Sequence, residues 1–149
     1  MKKAILFLFM LVAATTAVRG QISYGNPNDW FVTVWDMSKP TTRTAGNPSS
    51  TIALPFTGTN YTVYWEDVNN TATNGIENVA TSSSGTPFCL PVPSPTGKYR
   101  IKVYKGFGTL SSINHINSYY LDPKRLITIE QWGTNVWGNF DRAFGDHFG

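Results

Sequence analysis

The 149-residue chain holds one cysteine, Cys89, and two histidines, His115 and His147. A lone cysteine excludes an internal disulfide, so the fold rests on packing, and the plain expectation for Cys89 is a small buried hydrophobe. Neither histidine has a His, Cys or Asp at the short spacing that metal ligation uses, so no metal or cofactor is expected. Cys89 and His115 supply a thiol and a base, yet no orienting group or oxyanion site accompanies them. Phosphate loops, dinucleotide fingerprints and nucleophile elbows are missing. Glu66 and Asp67 are adjacent. On a strand they point to opposite faces and cannot share a substrate, so turn capping is their expected role. An enzyme is not expected.

Long apolar runs are equally scarce. Only Ala4–Ala14 qualifies, at eleven residues. That is short of the ~20 needed to cross a bilayer of about 30 Å as a helix, but it suits a secretory signal, with Lys2 and Lys3 ahead of it. Cleavage is expected after Gly20, leaving Gln21 first, with a cut after Ala17 as the alternative. The chain's formal charge of +3 comes from this segment. Without Lys2, Lys3 and Arg19, nine basic residues face nine acidic ones. Binding to nucleic acid through a net-basic surface is thereby excluded, and export to the extracellular space or cell surface is the expectation.

What remains is aromatic and β-branched. Charged residues and aromatics each make up 14% of the chain. Short apolar runs are separated by Thr, Asn, Ser, Gly and Pro, the texture of an all-β sandwich or barrel. Strands are predicted at Trp30–Trp35, Thr51–Phe56, Tyr61–Trp65 and Tyr99–Tyr104, with shorter ones at Ile76–Ala80 and Leu126–Ile129. Ser38–Ser50 reads as a loop, and Pro55 marks a strand edge or end. In YRIKVY, Tyr99, Ile101 and Val103 share one face and Arg100, Lys102 and Tyr104 the other. Residues 139–144 suggest one or two helical turns, with Phe140 and Phe144 on one side.

Two stretches carry a resemblance. FVTVW, YTVYWED and PTGKYRIKVYKG, between Trp30 and Gly106, are similar to the strands of a polycystic-kidney-disease-like (PKD-like) β-sandwich domain. LITIEQWGTNVWGNFDRAF, from Leu126 to Phe144, resembles the segment through which BspA-like leucine-rich-repeat surface proteins pass from that domain into their repeats. Glu66 and Val68 stand where the PKD-like turn has glycines. The resemblance implies a bacterial surface protein with an immunoglobulin-like sandwich over residues 21–108, and at 109–149 a linker with an incomplete opening of the repeats. A lone repeat segment is not a working solenoid. The five aromatics from Trp132 to Phe148 are therefore expected to dock onto the sandwich or a partner.

Binding is then the expected function: adhesion or protein–protein contact, with a small carbohydrate-binding module using exposed aromatics as the alternative. The candidate contact residues are Arg100, Lys102, Tyr104, Tyr119, Tyr120, Trp132 and Trp137, and the partner is a protein or glycan on a cell surface. Trp30 and Trp35 are further candidates for stacking on sugars. The plain alternative for the basic face of Tyr99–Tyr104 is that its lysines block edge-to-edge strand pairing, and this is the preferred expectation.

Overall fold

The computed structural model describes residues 25–41, 43, 47–83, 85–113, 122–138 and 140. The expected signal segment and its cleavage site, Tyr119, Tyr120, both histidines and, Phe140 apart, the expected helical turns lie outside these residues.

Eight strands run through the described chain: β1 Phe31–Asp36, β2 Thr51–Leu54, β3 Phe56–Asp67, β4 Asn74–Ser82, β5 Phe88–Pro91, β6 Lys98–Tyr104, β7 Thr109–Ile113 and β8 Leu126–Gln131. Their hydrophobic and aromatic residues alternate with polar ones at the two-residue period of a half-buried strand. One antiparallel sheet has the order β4-β3-β6-β1-β8, with β7 paired to the start of β3, and β2 and β5 form a second, two-stranded sheet. The inner faces enclose one core in which Trp35, Tyr99 and Ile101 of the main sheet meet Ile52, Leu54 and Leu90 of the small one. The protein is an all-β sandwich.

Pro55 separates β2 from β3, as a residue without a backbone donor should. The segment Tyr61–Trp65 is only the centre of a strand that runs from Phe56 to Asp67. That long strand changes partner and phase midway. Phe56 and Gly58 face inward before Asn60, and Tyr61 and Val63 after it. Asn60 has φ 49°, a left-handed conformation that Asn tolerates better than most residues, and it accounts for the phase change. Before the bend β3 pairs β7, and beyond it β6. The connection between those two strands ends at Gly108, where a Cβ would lie 2.1 Å from the Thr59 carbonyl oxygen and 2.3 Å from that of Asn60.

The Gly97-Lys98-Tyr99 landmark has a similar packing reason. The Tyr99 ring folds back over Gly97, where a Cβ would meet its hydroxyl oxygen at 2.7 Å. That hydroxyl accepts from the Ser94 amide at 2.8 Å, pinning the proline-rich approach to β6. Trp65 lies over its cross-strand partner Gly75 in the same way.

Residues 109–149, expected to form a linker and repeat opening, contribute β7 and β8 to the main sheet. After β8 the chain turns across the end of the sandwich. Trp137 packs edge-on against Phe31 at 5.2 Å and lies 6.1 Å from Phe56, while Trp132 sits 5.4 Å from Phe31. The Gly138 amide donates to Ser111 at 2.9 Å, and Thr134 donates to Asp29, also at 2.9 Å. Of the described aromatics of the tail, Trp137 docks on the core of the sandwich, while Trp132 and Phe140 stay nearly half exposed.

Behind β2 and β5 a charged cluster is sealed from water. Arg43 Nε lies 3.0 Å from Asp122 Oδ2, and Arg125 Nη1 lies 3.6 Å from Asp122 Oδ1. Backbone carbonyls accept from both guanidinium groups: Thr51 from Arg43 at 2.8 Å, and Pro48 and Lys39 from Arg125 at 2.7 and 3.2 Å. Thr41 and the Ala53 amide donate to Asp122. Burial pushes the Arg125 guanidinium below its ordinary range, against the pull of Asp122. Cys89 is half-buried here, with Arg43 Nη1 donating to its sulfur at 3.4 Å.

Candidate binding surface

Because β6 lies between β3 and β1, its alternation aligns with theirs across the sheet. Phe31, Thr33 and Trp35 pair with Val103, Ile101 and Tyr99 on the inner face. Val32, Val34 and Asp36 pair with Lys102, Arg100 and Lys98 on the outer one. From β3, Thr62, Tyr64 and Glu66 stand opposite Tyr104, Lys102 and Arg100. The outer face thus carries an aromatic end and a charged end.

At the aromatic end Trp30 stacks on Tyr104, with ring centroids 5.5 Å apart and planes 17° apart, and meets Tyr64 edge-on at 6.5 Å. Gln131 Nε2 fixes the Trp30 backbone by donating to its carbonyl at 2.8 Å. Lys102 Nζ lies 5.0 Å from the Tyr64 ring centroid and 3.3 Å from Glu66 Oε1. At the charged end Arg100 donates to both carboxylate oxygens of Glu130, at 2.6 and 3.0 Å, and to Glu66 at 2.9 Å. Lys98 lies 3.7 Å from Asp36.

Burial alone would raise the Glu66 carboxyl, but the Arg100 hydrogen bond and the nearby Lys102 outweigh it and hold it below the usual range. Burial works the same way on Asp36, where hydrogen bonds from Ser38 and the charge of Lys98 win. Glu130 and Glu66 push Arg100 up. Burial pushes the Tyr64 phenol up, and the Glu66 charge adds to it.

The expected edge-blocking role for the basic residues of β6 is therefore overturned: β6 is a central strand whose backbone is paired on both sides, and its cations bind carboxylates of neighbouring strands. Turn capping holds for Asp67, whose Oδ1 accepts from the Asn69 amide at 2.8 Å, but not for Glu66, which joins the ion-pair network.

Of the candidate contact residues, the fold brings Arg100, Lys102 and Tyr104 together on the outer face and places Trp132 and Trp137 separately, against Phe31. Tyr119 and Tyr120 lie outside the described residues. Trp35 is fully buried in the core, while Trp30 is half-buried on the outer face. Tyr64, Glu66 and Glu130 were missing from the sequence-based set. The alternation in YTVYW, extended to Glu66, puts it on one face with Tyr64, but no local signal tied Glu130 to Arg100.

Among the described residues no helix is long and apolar enough to cross a membrane, and no three His, Cys, Asp or Glu side chains converge to hold a metal. No known protein family, curated protein or solved structure matches the chain.

Proposed function

We propose that the chain is an exported, non-catalytic module of a bacterial surface protein of the BspA-like kind, with a PKD-like sandwich, acting in adhesion by binding a protein on a cell surface. The observation that carries this reading is the outer face of the main sheet, where Trp30, Tyr64 and Tyr104 stand beside Lys102 and Arg100. Trp, Tyr and Arg are the residues that dominate protein–protein interfaces, because they bring large rigid apolar area together with hydrogen-bonding tips. The cations of this face already have carboxylate partners, which limits the cost of covering them with a partner surface.

Two measurements test it. Expression with the native leader should yield a chain beginning at Gln21 outside the cytoplasm, and an uncleaved, retained chain would remove the export reading. Beads coated with the chain should adhere to a cultured epithelial monolayer. Tyr64→Ser with Lys102→Ala should lower adhesion about tenfold or more, as loss of an interface anchor does. Equal adhesion by the variant and wild type would sink the outer face as the contact.

The near-parallel Trp30–Tyr104 pair favours a second reading, a carbohydrate-binding module, since flat aromatic area suits a sugar ring. Saturable binding of the chain on a glycan array, lost in Trp30→Ala, would support it over protein contact.

A further inference from the structure

We infer that Asn69 is an acceptor for N-linked glycosylation of the bacterial type. This rests on the proposed export, because the modification takes place on translocated chains. Three Asn-x-Ser/Thr triplets occur: Asn47-Pro48-Ser49, Asn60-Tyr61-Thr62 and Asn69-Asn70-Thr71. Proline in the middle position bars the first. Only the third has a carboxylate two residues before its asparagine, giving Asp67-Val68-Asn69-Asn70-Thr71. An acid there is a second recognition group for the bacterial transferase, beside the hydroxyl two residues after the acceptor.

The two remaining triplets sit in opposite settings. Asn69, Asn70 and Thr71 are exposed on the turn that joins β3 to β4. Among the described residues neither the Asn69 carboxamide nor the Thr71 hydroxyl makes a hydrogen bond. The turn is held by the Asp67 amide to Thr73 at 2.9 Å, the Thr73 amide to Asn70 at 2.8 Å, the Asp67 carboxylate accepting from the Asn69 and Asn70 amides at 2.8 and 3.3 Å, the Asn74 carboxamide donating to the Thr71 carbonyl at 2.8 Å, and the Val68 amide donating to the Lys98 carbonyl of β6 at 2.9 Å. Extending this turn in an enzyme cleft breaks these bonds at the end of the sheet but spares the β3–β4 pairing from Glu66 and Asn74 inward. Asn60 lies inside β3, between Thr59 and Tyr61, which pair Thr81 and Val79 of β4. Its Thr62 hydroxyl is engaged by Asn78 at 3.1 Å, and Gly58 occupies the position of the acid. Presenting Asn60 would require breaking β3 from β4 at mid-sheet.

The donor is an oligosaccharide linked through its anomeric carbon to a polyisoprenyl diphosphate. The Asn69 carboxamide nitrogen attacks that carbon and a C–N bond forms. The C–O bond to the diphosphate breaks, its electron pair leaving with the polyisoprenyl diphosphate, and the amide proton passes to a carboxylate of the transferase. Asp67 and Thr71 are recognition groups and are not consumed.

The test uses the purified folded full chain, a purified single-subunit bacterial oligosaccharyltransferase and an undecaprenyl-diphosphate-linked oligosaccharide, with an acceptor peptide as positive control and intact-protein mass as readout. One glycan should be added to wild type and to Asn60→Gln, and none to Asn69→Gln. Asp67→Asn keeps an acceptor for the turn amides but removes the charge, so it should slow the initial rate about tenfold, the loss of one charge-assisted contact. An unmodified chain beside a modified control peptide would overturn the inference, as would a glycan on Asn60 or an undiminished rate in Asp67→Asn. Because the reaction bypasses the leader, its failure is distinguishable from failure of the export reading, which the native-leader expression reports separately.

Discussion

The guanidinium of Arg43 lies 3.0 Å from the carboxylate of Asp122, and both side chains are wholly shut off from solvent. One comes from the loop before β2 and the other from the approach to β8. Arg125 joins them at 3.6 Å, so a single buried carboxylate faces two buried guanidinium groups.

Removing that carboxylate leaves two buried cations with only uncharged partners: carbonyls, the Thr51 hydroxyl and the Cys89 sulfur. Asp122→Ala should cost about 3–5 kcal/mol, the range for breaking a buried pair from one side. Urea unfolding measures it. A loss below about 1 kcal/mol, the level of an exposed pair, would show that the cluster does not hold the two sheets together.

The bend of β3 predicts a second sensitive position. At Gly108 an added Cβ meets the backbone oxygens of Thr59 and Asn60 at 2.1 and 2.3 Å, and backbone cannot rotate away as a side chain can. Gly108→Ala should destabilise by about 2 kcal/mol or more through overpacking. Gly85→Ala, where nothing lies within 4 Å, is the control and should be near neutral. Thermal unfolding of the two variants compares them directly.

Tyr61 makes stability depend on alkaline pH. Burial pushes its phenol from 10.0 up to about 12, although the hydrogen bond to Ser82 pulls the other way. A group whose pKa is raised on folding contributes fully below the unfolded value and loses that contribution as pH climbs through the folded one. Stability should therefore fall between pH 10 and about 12. Tyr61→Phe should cost about 1 kcal/mol at neutral pH for the lost hydrogen bond and show a shallower alkaline decline. Burial also raises Tyr64 and Tyr99, so part of the slope should persist. Denaturation midpoints across this range decide it, and an unchanged slope in Tyr61→Phe would refute the assignment.

The outer face behaves oppositely in acid. Glu66 and Asp36 are held below their ordinary values of 4.5 and 3.8, so their contribution is present above those values and lost as pH falls through the lower folded ones. Glu66→Gln should flatten the acid limb. Arg100→Lys should lose the two-oxygen grip on Glu130 and the bridge to Glu66 for a cost of about 0.5–1 kcal/mol, smaller at high salt because Arg100 is partly exposed. An acid limb identical in wild type and Glu66→Gln would mean that this network does not govern acid stability.

The strands themselves were legible because their signal is local. A two-residue period tells which side chains share a face, so Tyr99, Ile101 and Val103 could be assigned to the core and Arg100, Lys102 and Tyr104 to one outer surface from six consecutive residues. The same period in YTVYW set Thr62 and Tyr64 against Tyr61, Val63 and Trp65, while Glu66 read as a turn residue. The predicted strands Thr51–Phe56 and Tyr61–Trp65 left out residues 57–60 and gave Phe56 to the strand before Pro55, because the bend at Asn60 reverses the phase within β3.

Pairing between distant strands left no such trace. Nothing within YRIKVY indicates that its strand lies at the centre of a sheet, and a basic strand at an edge would carry the same letters. Only when the chain brings β3 to one side, and β1 with β8 beyond it to the other, do Glu66 and Glu130 come within reach of Arg100, turning an expected edge guard into a neutral, paired surface. The Arg43–Asp122 pair is more remote still, since each side chain stands in an irregular segment with no periodicity to mark it as buried. Local sequence thus decided which residues form strands and which way they face, because backbone geometry imposes that alternation within a few residues. Strand order, the partners of each charge and the docking of Trp137 on Phe31 were decided only by the tertiary structure, because they depend on which distant apolar faces pack together.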